Sequence, residues 1–464
     1  MRHDSRGQCY PWRELTENSI IFTPLLTEWG FFIRMKNIQE LHQLFLASPK
    51  ISTDTRGDVK GSVFFALSGE KFNGNLFAKE AIDKGAELAV VDDKAFCEDN
   101  NRYFLVDNVL EALQNLALFH RESLKATVIG ITGSNGKTTT KELIYRVLET
   151  EKLVVATQGN LNNHIGVPLT LLRMTGKTQV AVVEMGANHP GEIARLCELA
   201  RPNIGIITNI GKAHLEGMGS YEGVINAKNE LFSYIRINNG TAIVNADDVL
   251  LMQLSEGMHR LTYGSGSSEV GGALQVEMPW IKISASYHHE AAFHISSHLY
   301  GRYNFPNVMA AIAFGYYFKI KNKNIVKAIE KYIPENSRSQ ELKTEQNHLF
   351  LDAYNANPVS MSEAIHSFKS YADDHSWLIL GDMFELGTAS KEEHQLIIEL
   401  IGQLGFKKVI LAGKHFYNLK SDRYLFFETT GEVILFLKRN PIKQARVLVK
   451  GSRGMQLEQL INVL

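Results

Sequence analysis

The chain has 464 residues, and its 49 Lys and Arg against 50 Asp and Glu give a formal net charge of -1 at pH 7. This balance argues against a nucleic acid partner, and no apolar run is long enough to insert into a membrane. The length suggests about three domains, and the three scattered cysteines, Cys9, Cys97 and Cys197, indicate a cytoplasmic protein without a disulfide framework.

The first 34 residues differ in pattern from the rest of the chain. They show no domain pattern and no small-residue cleavage site of a signal peptide. After Met35 the spacing of Ile38, Leu41 and Phe45 predicts an amphipathic helix. We therefore predict that residues 1–34 are a poorly ordered extension ahead of Met35 and are dispensable for activity.

Residues 35–125 alternate short strands with helices. The pattern predicts strands at 62–67 and 88–91, and a helix over 74–84 that Gly85 ends. These elements are typical of a small α/β domain.

A stronger alternation of strands and helices fills residues 126–333. Apolar runs of the parallel-strand type lie at 180–184, 204–208 and 241–245. Residues 262–300 carry glycine and serine clusters with alternating apolar positions, which predicts an antiparallel insert or a sheet edge.

The last predicted domain, residues 334–464, begins at Pro334. It contains predicted strands at 378–382, 408–412 and 446–450, each followed by a loop and a helix, as in a Rossmann-like sheet. We therefore predict an α/β protein of three domains, with a mostly parallel sheet in the central one.

A glycine-rich turn joins the apolar strand 127–129 to the amphipathic helix 140–148. At such a junction, backbone N–H groups and the helix dipole favour a phosphate, a lysine adds a point charge, and a hydroxyl can reach Mg²⁺. A helix-capping turn that happens to contain lysine is the alternative. We predict an ATP site formed by Gly133, Ser134, Asn135, Gly136, Lys137, Thr138 and Thr139.

This turn has a distinctive form, Gly-Ile-Thr-Gly-Ser-Asn-Gly-Lys-Thr-Thr, from Gly130 to Thr139. Its first glycine lies one residue earlier than the general phosphate-loop pattern requires. The form resembles the Mur ligase family, whose members join amino acids or peptides to a carboxylate. The resemblance implies ATP and Mg²⁺ as cofactors, Lys137 as a catalytic residue and a central P-loop ATPase domain.

Glu184 ends a predicted strand, and ligands of open α/β sheets gather at such ends. A carboxylate there is the expected partner of Mg²⁺, together with Thr138, although a solvated glutamate is the alternative. By resemblance, Glu184 and His214 hold a second Mg²⁺. By the same resemblance, Lys228 would be carbamylated, which turns its cation into a carboxylate-like anion beside the metal. Both His214 and Lys228 would be catalytic residues. An ordinary helix-surface lysine is the alternative for Lys228.

Two asparagine-rich segments match further parts of the family pattern. In the first, Asn162, Asn163 and His164 are implied contacts of the acyl substrate, whereas simple turn chemistry is the generic explanation. In the second, Asn304 and Asn307 are implied ATP contacts at the adenine, with Tyr303 in place of the usual histidine.

The last domain opens with two charged residues that resemble the family's nucleotide contacts. Arg338 resembles the arginine that reaches the ATP phosphates when the domains close, and it is therefore a further catalytic candidate. Asp352 resembles the acid that binds the ribose hydroxyls.

The segment from Asp352 to Pro358 reads Asp-Ala-Tyr-Asn-Ala-Asn-Pro. It resembles the branch of the family that adds D-alanyl-D-alanine to UDP-N-acetylmuramoyl-tripeptide, although an asparagine-rich turn is the alternative. Asn355 and Asn357 are the implied substrate contacts in it. Either Lys450 or Arg453 is expected to pair with the terminal carboxylate of the dipeptide, and the sequence does not choose between them.

The first domain resembles the uridine-nucleotide-binding domain of the family. Thr55, Arg56 and Lys71 are its candidate substrate contacts, although Lys71 begins Lys-Phe-Asn-Gly-Asn where relatives commonly carry Asp-Gly-His. A surface salt bridge is the alternative for Arg56.

The implied reaction is ligation through an acyl phosphate by a monomeric enzyme. A sister ligase that adds a different amino acid is the nearest rival interpretation, followed by a folylpolyglutamate synthetase-like enzyme. An ATP-dependent switch or binding protein without ligation is the rival from another class.

Overall fold

The computed structural model describes residues 28–97, 101–266, 268–288, 291–335 and 337–464, with side chains from residue 38 onward. The predicted extension therefore lies mostly outside the described residues. Helix α1 spans Glu28–Ala47, so it begins before Met35. No proline interrupts the stretch. The predicted poor order of residues 1–34 stays a prediction.

The first domain is a parallel sheet with helices on both faces. Its strands lie in the order β1-β2-β3-β4. Neighbouring residues of β2 point to opposite faces, so Phe65 packs with α1 and α3 while Phe64 packs with α2. The elements are α1, β1 (Ile51–Ser52), β2 (Val63–Phe65), α2 (Ala78–Asp83), β3 (Leu88–Val91), β4 (Tyr103–Leu105) and α3 (Val109–Glu122).

The central domain has nine described strands in one sheet, in the order β13-β12-β11-β10-β9-β8-β5-β7-β6. The ladders β11–β12 and β12–β13 are antiparallel, which confirms the predicted sheet edge. Its strands are β5 (Thr127–Thr132), β6 (Val154–Ala156), β7 (Val180–Glu184), β8 (Ile204–Ile207), β9 (Thr241–Asn245), β10 (His259–Ser265), β11 (Val270–Val276), β12 (Lys282–Tyr287) and β13 (Phe293–Ser296).

Helices cover both faces of this central sheet. Val182 and Ile129 pack with α4 and α10 on one face, while Val183 and Val128 pack with α5, α6 and α8 on the other. The helices are α4 (Lys137–Leu148), α5 (Gly166–Leu171), α6 (Glu192–Ala200), α7 (Leu215–Met218), α8 (Tyr221–Ile237), α9 (Val249–Leu254), α10 (Phe305–Tyr317) and α11 (Asn322–Lys331).

The last domain has a sheet in the order β14-β15-β19-β16-β17-β18, parallel except for the edge strand β14. This agrees with the predicted Rossmann-like alternation of strands and helices. The elements are β14 (Gln340–Lys343), β15 (His348–Asp352), α12 (Pro358–Lys369), β16 (Trp377–Gly381), α13 (Ser390–Gln403), β17 (Val409–Ala412), α14 (Lys414–Tyr417), β18 (Leu425–Phe427), α15 (Thr430–Arg439) and β19 (Arg446–Lys450).

The carboxyl ends of the central and last sheets face one shared cavity of about 1050 Å³. From the central sheet it receives the loops after β5, β7 and β8, and from the last sheet the loops after β15 and β16. Ligands of open α/β sheets bind at such ends, so the fold places a candidate site between two domains. The predicted domain boundaries near residues 125 and 333 stay predictions.

Candidate active site

The glycine-rich turn leaves no room for side chains at two of its positions. Gly133 and Gly136 have φ angles of 146° and 76°, which disfavour other residues. A Cβ atom at Gly133 would lie 2.0 Å from the hydroxyl of Thr208, and one at Gly136 would lie 2.4 Å from the amide oxygen of Asn307. The turn therefore holds its backbone N–H groups close to the cavity, as a phosphate cradle requires.

Lys137 is the first residue of α4, and its side chain folds back over the turn. Its ammonium donates to the carbonyl oxygens of Gly133 at 2.6 Å and Ser134 at 3.3 Å. Burial lowers the pKa of Lys137, Glu184 raises it, and Arg338 lowers it. A cation in this position, beside another cation and partly desolvated, is well placed for an anionic ligand.

Glu184, at the end of β7, is 1% exposed. One carboxylate oxygen accepts from the Thr138 hydroxyl at 3.2 Å and from the Asn162 amide at 2.9 Å. Within the described parts of the chain, the other oxygen has no hydrogen-bond partner. A buried carboxylate with a free oxygen is costly without a cation, so the donor set of Glu184 and Thr138 fits Mg²⁺.

The remaining predicted metal ligands have other partners in the structure. The Nδ1 atom of His214 lies 2.6 Å from a carboxylate oxygen of Glu385, in the last domain. The ammonium of Lys228 lies 3.4 Å from the carbonyl oxygen of Ala187. No group of three or more His, Cys, Asp or Glu poised for a metal occurs among the described residues. Metal binding by His214 and Lys228 therefore stays a prediction.

Lys228 is fully enclosed on α8, so the prediction of a plain surface lysine does not hold. Burial, and secondarily the charge of Lys137, lowers the pKa of Lys228 to about 7. A substantial share of neutral amine is thus present at neutral pH, and only the neutral amine reacts with CO₂ to form a carbamate.

Asn304 and Asn307 hold the turn to the last domain. Asn307 accepts from the Thr140 hydroxyl at 3.1 Å and donates to Asn304 at 2.9 Å. Asn304 donates to the Ser339 hydroxyl at 3.1 Å, and the Tyr303 hydroxyl lies 3.2 Å from the same group. Both amide side chains are thus engaged with protein groups, and their predicted contact with adenine stays a prediction.

Asn357 links the phosphate turn to the last domain. Its amide donates to the Asn135 side-chain oxygen at 2.7 Å, and its own oxygen caps α12 by accepting from the Ser360 N–H at 2.9 Å. These contacts give Asn357 a structural role, and its predicted substrate contact stays a prediction. The ion pair of Lys212 with Glu393, at 2.7 Å, adds a further contact between these domains.

Lys450, at the end of β19, is 1% exposed and pairs with a carboxylate oxygen of Asp352 at 2.5 Å. It also approaches the carbonyl oxygen of Asn355 at 3.4 Å. Asp352 therefore neutralises the charge of Lys450, whereas Arg453 is exposed in the next loop. The pairing of either residue with the dipeptide carboxylate stays a prediction.

The loop of residues 160–165 carries the three predicted contacts of the acyl substrate. The Asn162 amide donates to Glu184. The side-chain oxygen of Asn163 accepts from the N–H groups of Ile165 and Gly166, which is turn chemistry. His164 is exposed. All three residues line the cavity, and their substrate contacts stay predictions.

The candidate uridine contacts lie away from this cavity, in the first domain. The Arg56 side chain is 90% exposed and pairs with Asp54 at 2.7 Å, as the surface salt-bridge alternative predicts. Thr55 is buried, and Lys71 is exposed. Their substrate roles stay predictions.

Three cavity residues carry contacts that the sequence did not assign. Asn209 accepts from the Asn135 N–H at 2.9 Å and so fixes the phosphate turn. Glu385, whose own φ angle is 64°, contacts His214. The ring of Tyr354 lies under the guanidinium of Arg338. Tyr354 lies in the segment Asp352–Pro358 described from the sequence, but only the fold shows what it contacts.

Family models for Mur ligases match three stretches of the chain. The model of the Mur ligase family catalytic domain matches residues 50–132, the Mur ligase middle domain matches residues 131–315, and the Mur ligase glutamate ligase domain matches residues 337–453. Along the described residues, no helix is long and apolar enough to cross a membrane.

The UDP-N-acetylmuramoyl-tripeptide--D-alanyl-D-alanine ligase of Bacillus subtilis is 36% identical to the chain, over 93% of the chain and 98% of that protein. The Escherichia coli enzyme of the same name is 33% identical, over 92% of the chain and 95% of that protein. Among solved structures, MurF from Acinetobacter baumannii aligns with a TM-score of 0.80 at 29% identity, covering 89% of this chain and 92% of that one. The Thermotoga maritima MurF ligase in complex with ADP aligns with a TM-score of 0.79 at 25% identity, covering 90% of this chain and 97% of that one.

Proposed function

The chain belongs to the Mur ligase family, and we propose that it adds D-alanyl-D-alanine to UDP-N-acetylmuramoyl-tripeptide in peptidoglycan precursor synthesis. The products are UDP-N-acetylmuramoyl-pentapeptide, ADP and phosphate. The observation that carries the proposal is the shared cavity, in which Lys137 and Glu184 of one domain face Arg338 and Asp352 of another. We place the reaction in the cytoplasm, where ATP is available.

A carboxylate is a poor electrophile, so the reaction runs in two steps. An oxygen of the tripeptide carboxylate attacks the γ-phosphorus of ATP and ADP leaves, which gives an acyl phosphate. The amine of the dipeptide then attacks the acyl carbon, phosphate leaves, and the amine loses a proton. Lys137 and Arg338 stabilise the charge on the transferring phosphoryl group, and the walls of both domains exclude water from the acyl phosphate.

Glu184 and Thr138 are the residues that would hold Mg²⁺ in this site. The ion, when bound, neutralises charge on the phosphate oxygens. Asn162 holds the Glu184 carboxylate from the substrate side of the cavity. The chain would thus supply an oriented carboxylate and hydroxyl to the ion.

The proposed function is tested by the release of ADP with a panel of acceptors. Purified enzyme with ATP, Mg²⁺ and UDP-N-acetylmuramoyl-tripeptide should release ADP and form pentapeptide only when D-alanyl-D-alanine is added. Preference for a diamino acid would indicate a sister ligase, and activity on a folate substrate a folylpolyglutamate synthetase-like enzyme. ATP turnover that ignores both substrates would contradict ligation altogether.

We predict that Lys228→Ala abolishes ligation and that small carboxylic acids partly restore it. The reason is that a carbamate at Lys228 supplies an anion, which an added carboxylate can replace in the space left by the shortened side chain. The measurement is pentapeptide formation with and without formate or acetate. Lys327, which lies on α11, supplies the control Lys327→Ala, expected to behave as wild type. Full activity of Lys228→Ala without any additive would rule out an essential role.

We also predict that the enzyme is more compact when all its substrates are bound. The contacts that join the central and last domains include polar pairs such as Lys212 with Glu393, whose lysine side chain is half exposed. Exposed ion pairs contribute at most about 1 kcal/mol each, so the free enzyme should also populate open arrangements. Small-angle scattering should show a smaller radius of gyration with ATP analogue, nucleotide substrate and dipeptide. An unchanged radius at saturation, in active enzyme, would contradict this.

A further inference from the structure

Tyr354 lies two residues past the end of β15, on the wall of the cavity. The central carbon of the Arg338 guanidinium lies 3.5 Å from the centroid of its ring, and that of Arg453 lies 5.1 Å from the same centroid. Both distances fall within the range of cation–π attraction. One aromatic ring therefore contacts two cations that come from different loops.

The two arginines have different surroundings. Arg338 lines the same cavity as Lys137 and Thr138, so its guanidinium shares the cavity with the phosphate turn. Arg453 belongs to the loop after β19, where Lys450 is already neutralised by Asp352. Arg453 is thus the cation of that loop that remains available to an incoming anion.

Hydrogen bonds fix the loop of Tyr354 to its neighbours. The Ser452 hydroxyl donates to the carbonyl oxygen of Ala356 at 3.4 Å, and it accepts from the Phe384 N–H at 2.9 Å. Hydrogen bonds therefore join the loops after β15, β16 and β19 into one unit. Within this unit, the ring restrains two long side chains that would otherwise lose much rotational freedom on binding a ligand.

We propose that Tyr354 is a positioning residue whose ring holds Arg338 toward the nucleotide phosphates and Arg453 toward the terminal carboxylate of the incoming dipeptide. The ring draws together two like charges that would repel each other, and it presents them to two anions. The dipeptide part of this inference rests on the proposed function, whereas the nucleotide part does not.

The first test compares Tyr354→Leu with Tyr354→Phe. Loss of the ring should raise the KM for D-alanyl-D-alanine about fivefold and lower kcat about fivefold, given the strength of such contacts. Tyr354→Phe keeps the ring and should recover most of both losses. Tyr417→Leu removes a ring under Lys420 elsewhere in the same domain and serves as the control. Equal losses in Tyr354→Phe and Tyr354→Leu, with unchanged melting temperatures, would overturn the proposal.

The second test is a double-mutant cycle with Arg453→Gln. If the ring acts on the dipeptide through Arg453, then adding Tyr354→Leu to Arg453→Gln should raise the dipeptide KM no further. Full additivity of the two effects would overturn the dipeptide part.

Calorimetric binding of Mg²⁺ and a non-hydrolysable ATP analogue tests the nucleotide part without any acceptor. Tyr354→Leu should weaken this binding about fivefold, and Tyr354→Phe should not. Unchanged binding in Tyr354→Leu would overturn the nucleotide part. Failure of wild-type enzyme to form pentapeptide would instead count against the proposed function and against the dipeptide part with it.

Discussion

Lys137→Ala should lower the rate of ligation by at least about a thousandfold while leaving the protein folded. The ammonium of Lys137 donates to two carbonyl oxygens of its own turn, which hold it over the turn without neutralising its charge. Charge that develops on the transferring phosphoryl group needs a fixed cation, and alanine supplies none. The rate of ADP release under saturating substrates measures the effect.

Stability should respond to this change differently from activity. Lys137 stands at the N-terminus of α4, where the helix dipole disfavours a cation, and burial already lowers its pKa. Removing the ammonium should therefore leave the melting temperature unchanged or slightly raised. Lys177→Ala, at an exposed site, is the control that should keep both activity and stability. Near-normal turnover in Lys137→Ala would exclude the phosphate-binding role.

The parts of the site whose local geometry the sequence predicted are contiguous. The phosphate turn lies in one segment whose glycines, lysine and flanking strand and helix reveal its geometry directly. Glu184 could be predicted because a parallel strand that ends in a carboxylate delivers it to the ligand edge of the sheet. These inferences need only local pattern and a general rule about sheets.

The parts that the sequence missed depend on partners from distant segments. The sequence predicts Asn357 as a substrate contact. It does not reveal that the Asn357 amide donates to Asn135, which is more than two hundred residues away in sequence. Lys450 looked like a free cation until β19 placed it beside Asp352 on the neighbouring strand. Pairing of this kind follows from strand order and register, which the local pattern does not specify.

Glu184→Gln should lower ligation by about a hundredfold or more and make the remaining activity depend on high Mg²⁺ concentrations. The change keeps the shape of the side chain but removes the charge that a buried cation needs. It also leaves the Thr138 hydroxyl in place as a weaker ligand for Mg²⁺. Ligation rates measured across a series of Mg²⁺ concentrations would show the shift.

The same substitution should stabilise the enzyme when Mg²⁺ is absent. A buried carboxylate with one free oxygen costs free energy of folding, and a neutral amide reduces that cost. We therefore expect a higher melting temperature for Glu184→Gln than for wild type in a chelating buffer, and a smaller rise on adding Mg²⁺ with ATP analogue, because ligand binding stabilises the folded state. Glu256→Gln, at an exposed site, is the control and should change neither quantity. Equal Mg²⁺ responses in wild type and Glu184→Gln would mean that the metal is held elsewhere.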